Sequence, residues 1–323
     1  MGHTRVYRNG TLEAEGFPVA DVSEKVRDPS AVVWFDMCAP TEEDLHAISE
    51  ELGLHALAVE DALQHRQRPK LDVYDSHMFL SVYAAAFDSA SGRVRVAPAA
   101  AFITKNALVT VRQSDDFSIE EVMRRWDEGA DLARHGVAFL VHGLLDYVVD
   151  SHFEAVEAMD EQVEDLEGTV FGDRPVSSED QRRTFELRKS LVTLRRIVMP
   201  MREAVNTLLR RNGLIGDGEM TPYFQDVYDQ VLRATEWTES LRDLVSNIRE
   251  THLTMQGNRM NLIMKRVTSW AAIIAVPTLI TGFYGQNIPF PGFGHALGFW
   301  TSTTLIVVAS AALYRVFRAR DWL

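Results

Sequence analysis

Short runs of apolar residues rich in β-forming side chains recur over the first third of the chain, separated by polar turn signals such as Ser91-Gly92, and this pattern predicts strands. Helices are predicted to begin near Thr41 and near Ser118, because an acid follows each of them by three residues, close to the spacing of a capping box. Residues 1–134 are therefore predicted to form an α/β domain with a small mixed sheet. The predicted strands are Ala31 to Asp36, Met78 to Phe87, Ala100 to Thr104 and Ala107 to Arg112.

Beyond this domain the apolar runs give way to strongly charged sequence with helical periodicity, so residues 135–220 are predicted to form long helices. One helix covers His135 to Glu167, and a second begins around Ser178 and continues to Arg211. Glycines at 213, 216 and 218 interrupt the pattern. Thr221 followed by Pro222 then predicts the N-terminus of another helix.

Residues 221–284 are predicted to form one stalk helix that continues into a membrane. No strong stop signal precedes Pro277, and a helix reaching Phe283 would be about 90 Å long at about 1.5 Å per residue. Apolar residues spaced by four and three along its first half indicate either a coiled coil or a single packing face against neighbouring helices. This seam comprises Val227, Val231, Ala234, Thr238, Leu241, Val245, Ile248, His252 and Met255.

The 48 residues from Val267 to Tyr314 contain no Asp, Glu, Lys or Arg, although these make up 24% of the chain. This length predicts two membrane spans, about 262–284 and 297–315, joined by a loop over 285–296, with a buried globular hairpin as the alternative. Basic residues precede the first span and follow the second into a basic tail, 316–323, whereas the loop has none. Both termini are therefore predicted to be cytoplasmic in a multi-pass protein of the cell inner membrane.

The charge and composition of the chain restrict the classes of function that it can have. The net charge of −13 and the pI near 5.2 argue against a nucleic-acid partner, which would require basic patches. Cys38 is the single cysteine and no secretory signal precedes Val19, so the bulk of the protein is predicted to be cytosolic. Nucleotide-binding loops, nucleophile elbows and clustered metal-ligand spacings are absent from the sequence, so we expect neither an enzyme nor an organic cofactor.

Small and polar residues continue along one side of the first span, and we call this set the pore stripe. It comprises Asn261, Met264, Val267, Thr268, Ala271, Ala275 and Thr278. In lipid such a stripe faces either another helix or a water-filled channel, and both explanations are open for two spans. Because the stripe offers amide and hydroxyl oxygens without charge, we favour a pore that recognises a hydrated Mg²⁺ ion. Two spans cannot enclose a pore, so several copies of the chain are required.

The chain resembles the CorA family of magnesium transporters in motifs spread over nearly its whole length. The first span ends in Tyr284-Gly285-Gln286-Asn287, which is similar to the family's Tyr-Gly-Met-Asn. The other matching segments are Trp34-Phe35-Asp36, Val59-Glu60-Asp61, Arg68-Pro69-Lys70, Tyr223 to Asp229, Met264-Lys265 with Thr268, Pro277-Thr278 and Asp321-Trp322-Leu323. The resemblance implies a funnel-shaped homopentameric channel with an α+β cytosolic domain, a long helical stalk and two transmembrane helices.

The same resemblance implies roles for individual residues. The outer entrance that holds hydrated Mg²⁺ would be formed by Gly285, Gln286 and Asn287. The inner constrictions would be formed by Asn261, Met264, Val267 and Thr278. Carboxylates that bind regulatory Mg²⁺ between subunits and close the pore would be Glu60, Asp61, Asp146, Asp226 and, lower on the stalk, Glu250. Mg²⁺ is thus expected as both the transported and the regulatory ion, and the expected partners are copies of the same chain and the lipid bilayer.

Two departures from the family pattern leave the transported ion open. Gln286 replaces the family's methionine, and the loop from Ile288 to Gly294 lacks the acid that many relatives carry. Transport of Co²⁺ or Ni²⁺, and proton-coupled transport of Zn²⁺ as in the zinc-transporting branch, are therefore alternatives. The histidines at 3, 252 and 295 form no ligand cluster by spacing. A non-conducting, membrane-anchored sensor of divalent cations is a further alternative, but an anchor needs no hydrophilic face in lipid.

Overall fold

The structure, a computed structural model, describes residues 2–64, 67–172, 176–211, 218–286, 289 and 292–323. The chain divides into two compact units, residues 1–246 and 247–323. The strands of the first unit are β1 (Thr4–Arg8), β2 (Thr11–Glu15), β3 (Ala31–Cys38), β4 (Lys70–Val73), β5 (Met78–Asp88), β6 (Arg93–Ile103) and β7 (Ala107–Arg112). The helices of the chain are α1 (Val22–Val26), α2 (Glu42–Leu52), α3 (Ala56–Leu63), α4 (Ile119–Glu128), α5 (Val137–Phe171), α6 (Ser178–Arg211), α7 (Thr221–Tyr284) and α8 (Ala296–Ala319).

The strands form one mixed sheet in the order β2-β1-β3-β7-β6-β5-β4, in which β3 and β7 are parallel and the other neighbours are antiparallel. The predicted α+β class is confirmed. Alternate residues of β5 enter two cores, since Met78 and Leu80 pack toward α4 and α5 while Phe79 packs toward the side of α2 and α3. β1, β2 and β4 were not predicted, because they are short and carry charged residues.

The hairpin of β5 and β6 extends beyond its neighbouring strands, and helix side chains bind the backbone groups left over at its edges. The imidazole Nε2 of His152 lies 2.7 Å from the Tyr83 carbonyl oxygen, and the Ser151 hydroxyl accepts from the Ala85 N–H at 3.0 Å. On β6, the Val94 N–H donates to the Ser190 hydroxyl at 3.0 Å. Complete burial lowers the pKa of His152 to about 4, so this side chain is neutral at physiological pH.

A buried ion pair joins the two parallel strands at the centre of the sheet. The guanidinium of Arg112 donates to both carboxylate oxygens of Asp36, at distances between 2.7 and 3.1 Å, and Thr110 donates to the same carboxylate at 2.7 Å. Both charged side chains are almost fully buried, at 3% and 0% exposure. Burial alone would destabilise either charge, so each depends on the other.

Both predicted helix starts are confirmed, but only the first has a capping box. At Thr41 the box is present, since the Thr41 hydroxyl accepts from the Asp44 N–H and the Asp44 carboxylate accepts from the Thr41 N–H. Near Ser118 the helix begins as predicted, since α4 starts at Ile119, but Ser118 makes no side-chain cap and instead contacts Glu120. The acid at 121 is bound by Arg124, which removes it from the cap.

The apolar seam of α7 is buried within a single chain. Residues Val227, Val231, Ala234, Leu241 and Val245 are at most 2% exposed. Aromatic residues fix the helix against α5, with the rings of Phe153 and Trp237 centred 6.4 Å apart. The seam is thus a packing face toward the chain's own helices. Its predicted last member, Met255, is 43% exposed in the second unit.

The second unit consists of the remainder of α7, the loop after Tyr284 and α8. Both helices are long and apolar enough to cross a membrane by length and composition. They run antiparallel, since Leu305 of α8 shares a cleft with Leu279 and Phe283 of α7, and Trp322 beyond the end of α8 shares another with Asn258.

Candidate ion pathway and regulatory carboxylates

One face of α7 packs against α8 in the second unit. Ser269 is fully buried and Ile280 is 8% exposed, while Ile273 and Val276 are half-buried between them. These positions recur every three or four residues, as a helix requires for one packing face. The face is apolar except for Ser269, and it is the face that the second helix covers.

The pore stripe lies on the other side of α7. All of its members are exposed in the single chain, including Asn261, Met264 and Thr278. At 100° per residue, the mean direction of the stripe is about 150° from the mean direction of the face that packs on α8. The stripe is therefore not the buried face that packs on the chain's own second apolar helix, although Asn261, Met264 and Thr268 line a cleft together with Trp322, which follows that helix.

The hydroxyls of Thr278 and Thr281 on α7 donate to carbonyls of the same helix. The Thr278 hydroxyl donates to the Ile274 carbonyl at 3.0 Å, and the Thr281 hydroxyl donates to the Thr278 carbonyl at 3.1 Å. With its proton occupied, the Thr278 oxygen presents only lone pairs to its surroundings. A hydrated cation directs water hydrogens outward, so an acceptor of this kind suits its hydration shell.

The helix ends at the motif that resembles the family's entrance signature. The Gly285 N–H donates to the Thr281 carbonyl at 2.8 Å, and a Cβ at position 285 would lie 3.0 Å from that oxygen. A side chain at this position would therefore require the carbonyl to shift by a few tenths of an ångström. Gln286 lines a cleft of about 600 Å³ together with Leu279 and Leu305. Asn287, predicted to hold the ion at the entrance, lies outside the described residues.

Two of the predicted regulatory acids follow each other on α3. The Asp61 carboxylate accepts from the Lys70 ammonium and from the Gln67 amide, both at 2.6 Å, and its side chain is 18% exposed. Glu60 is exposed and accepts from the Gln64 amide at 3.2 Å. Burial acts to lower the pKa of Lys70, but its hydrogen bonds to Asp61 and Asp72 and the charges of these carboxylates together raise the pKa above its ordinary value.

Asp146 and Asp226 belong to one electrostatic cluster although they lie on different helices. The guanidinium of Arg125 bridges Asp146 and the neighbouring Asp150 on α5. His142, one turn before Asp146, packs edge-to-face on Tyr223 and Phe224 at the start of α7, and its charge interacts with both Asp146 and Asp226. Burial lowers the pKa of His142, and these two carboxylates oppose that effect.

The predicted regulatory acids do not converge on a metal site within one chain. In the part of the chain that the structure describes, no three His, Cys, Asp or Glu side chains are arranged to hold a metal ion. Glu250 is exposed on α7 and belongs to the second unit. Arg125, Lys70 and His142, which contact or face these acids, were not identified from the sequence as part of the site. Their positions depend on contacts between distant segments, so no local pattern marks them.

Proteins of similar sequence match this chain over nearly its whole length. The cobalt/magnesium transport protein CorA of Thermotoga maritima is 28% identical over 317 residues, which cover 96% of this chain and 90% of that protein. The protein of the same name from Methanocaldococcus jannaschii is 24% identical over 297 residues, covering 90% of this chain and 92% of that protein.

Solved structures share the fold. The complete CorA magnesium transporter of Methanocaldococcus jannaschii superposes with a TM-score of 0.78 at 22% identity, covering 99% of this chain and 98% of that one. The full-length CmaX protein superposes with a TM-score of 0.73 at 19% identity, covering 98% and 96%. A family profile described as CorA-like Mg²⁺ transporter protein matches residues 29–319. Because that match covers most of its length, the chain belongs to the CorA-like Mg²⁺ transporter family.

Proposed function

We propose that this chain forms a homopentameric channel in the cell inner membrane that conducts hydrated Mg²⁺ into the cytoplasm. The observation that carries the proposal is the pore stripe, whose exposed side chains lie on the side of α7 away from α8. In hydrocarbon, a helix face with amide and hydroxyl groups requires water or a protein partner. Several copies of α7 around one axis supply both, since the stripes then face a common aqueous path.

The division of the chain follows from this arrangement. Residues 1–134 and 135–220 are the cytosolic parts, and 221–284 are the stalk, with the membrane part at about 262–284. Residues 285–296 form the external loop, 297–315 the second span and 316–323 the cytosolic tail. The uncharged stretch with basic residues at both ends supports this orientation, because basic residues remain on the cytoplasmic side.

The ion keeps its water shell in the proposed pathway. Mg²⁺ loses its waters reluctantly, so a pore of neutral oxygens can bind the outer surface of the hydrated ion at a smaller energetic cost than direct coordination. Asn261 and Thr278 provide such acceptors along the stripe, with Gly285, Gln286 and Asn287 as the proposed entrance. An acidic ring is not needed for this recognition.

Gating is proposed to depend on the regulatory acids at the subunit contacts. Within the chain, Asp61 is paired with Lys70 and Asp146 with Arg125. A divalent ion that bridges two subunits must therefore compete with a resident cation for its ligands. This competition favours weak binding, which suits an inhibitor that must dissociate when cytosolic Mg²⁺ falls.

Mg²⁺ flux into liposomes containing the purified chain tests the proposal. Thr278→Val keeps the side-chain shape and removes an acceptor from the stripe, so flux should fall by roughly three- to tenfold, the equivalent of one hydrogen bond. Thr303→Val is the matched control, because the Thr303 hydroxyl also donates to a carbonyl four residues earlier, that of Phe299, but lies on α8.

The same assay separates the alternatives. Equal effects of the two threonine variants would contradict the assignment of the stripe. Zn²⁺ flux that requires a proton gradient would favour the proton-coupled transporter, and the absence of flux for Mg²⁺, Co²⁺, Ni²⁺ and Zn²⁺ would favour the non-conducting sensor.

A further inference from the structure

Basic residues are concentrated in the second unit, against the trend of the whole chain. Residues 247–323 contain seven basic residues (Lys or Arg) and two acidic residues (Asp or Glu), whereas the full chain contains 33 basic and 46 acidic residues. Six of these basic residues lie at the ends of the uncharged stretch and are here called the basic collar. The collar comprises Arg259, Lys265, Arg266, Arg315, Arg318 and Arg320.

The basic-collar residues of α7 and those at the end of α8 lie at the same level along the helix pair of the second unit. Lys265 of α7 lines a cleft together with Trp322, which follows α8 by three residues. Since the helices are antiparallel, the end of α8 is therefore beside the start of the apolar part of α7. The basic groups of both helices form one band at the boundary between charged and uncharged sequence.

The end of α8 has a fixed conformation. Asp321 adopts a positive φ of 53°, and the Trp322 N–H then donates to the Phe317 carbonyl at 2.9 Å. The Trp322 ring stacks on Phe317 with 5.7 Å between centroids and an angle of 6° between planes. An indole held at this level suits the headgroup region of a bilayer, where Trp and Tyr are enriched.

Arg315 lies on the side of α8 opposite its half-buried residues, and Arg318 lies on the flank, about 120° from them. The half-buried positions of α8 include Ile306, Leu313 and Phe317. Arg315 is two positions after Leu313 and two positions before Phe317. At 100° per residue, Arg315 is about 180° from the mean direction of these positions. Both arginines are exposed, and Arg318 donates to the Tyr314 hydroxyl at 3.3 Å.

The collar has no acidic partner within the chain as far as the structure describes it. Its six side chains form no ion pair there, and the acid nearest in sequence to the arginines, Asp321, forms none either. Unpaired guanidinium groups beside a hydrocarbon boundary are stabilised by an anion that can approach from the lipid side. A fork of N–H donors binds phosphate oxygens in a bidentate geometry.

We propose that Arg315 and Arg318, with Tyr314 beside them, bind the phosphate of an anionic phospholipid in the cytoplasmic leaflet. Charge complementarity selects this occupant, because the site is positive, faces away from the proposed pore and continues the surface that meets lipid. Phosphatidylglycerol fits, since it adds net negative charge to the phosphate. A zwitterionic lipid offers the same phosphate beside a repelling ammonium. The inference rests on the proposed function only in requiring that α8 crosses a membrane.

Lipid titration of the purified full chain in a neutral detergent tests this site. Short-chain phosphatidylglycerol, short-chain phosphatidylcholine and glycerol phosphate are compared as probes, with binding followed by tryptophan fluorescence. Each basic residue near an anionic surface contributes about 1 kcal/mol, so Arg315→Gln with Arg318→Gln should weaken phosphatidylglycerol binding about thirtyfold. Arg188→Gln with Arg196→Gln is the control, since it removes two exposed arginines from α6 and should leave the affinity unchanged.

Three results would overturn the assignment. They are an unchanged affinity in the Arg315 and Arg318 double variant, equal binding of the two lipids, and equal binding of glycerol phosphate, which would indicate a soluble anion site. If the site instead binds an acidic segment of a protein, the double variant would leave lipid binding unchanged. Because these titrations measure no ion flux, their failure is separate from failure of the channel proposal, which the liposome assay measures.

Discussion

Protonation of His152 should link the stability of the cytosolic unit to pH. Burial lowers its pKa from 6.5 to about 4, so the folded state keeps the imidazole neutral while the unfolded state takes up a proton below pH 6.5. Stability is therefore complete above pH 6.5 and is lost as the pH falls toward 4. At pH 5 the loss attributable to this group is about 2 kcal/mol, since each pKa unit corresponds to about 1.4 kcal/mol.

Two substitutions isolate this effect from the many carboxylates that titrate in the same range. His152→Phe removes both the titration and the hydrogen bond to the Tyr83 carbonyl, which should cost about 1–3 kcal/mol at pH 7.5. His152→Gln removes the titration but retains an amide donor, so its loss at pH 7.5 should be smaller. For both variants, the stability relative to the unmodified chain should improve by about 2 kcal/mol between pH 7.5 and pH 5.

Thermal unfolding of the full chain in detergent, followed by tryptophan fluorescence to which the packed pair Trp34 and Trp126 contributes, measures these differences. A change of about 2 kcal/mol corresponds to about 4–8 °C in the midpoint for a unit of this size. If the gap between the unmodified chain and either variant is the same at both pH values, the side chain is not held neutral by burial, and the argument fails.

Three further predictions concern other parts of the molecule. Arg112→Leu leaves the Asp36 carboxylate buried without a cation, so thermal unfolding should show a loss of about 3–5 kcal/mol in the free energy of unfolding. A loss below about 1 kcal/mol would contradict the mutual dependence of Asp36 and Arg112. Asp61→Ala combined with Asp226→Ala should raise the internal Mg²⁺ concentration needed to inhibit flux, and unchanged inhibition would reject these acids as the sensor. Gly285→Ala should reduce Mg²⁺ flux because its Cβ would lie 3.0 Å from the Thr281 carbonyl oxygen, which would have to shift. A flux equal to that of the unmodified chain would refute the need for glycine at 285.

Features that depend on neighbours along the chain could be predicted from the sequence. The helix beginning at Ser178 and the stalk helix have the predicted bounds, Ser178–Arg211 and Thr221–Tyr284, because helical periodicity and caps are local properties. The absence of charge from Val267 to Tyr314 likewise determines two apolar helices whatever the rest of the chain does. The family motifs around Gly285 are equally local.

Interactions between distant segments were decided by the tertiary structure. Arg125 pairs with Asp146 from 21 residues away, and His152 binds Tyr83 from 69 residues away, so neither partner is visible in a local pattern. β1 was missed because Arg5 looks like a surface residue, although Asp127 pairs with it and it is 4% exposed. The direction of the pore stripe was likewise decided by the tertiary structure. Periodicity places its members on one side of a helix, but only the packing of α8 on the opposite side determines that this face is left for another partner.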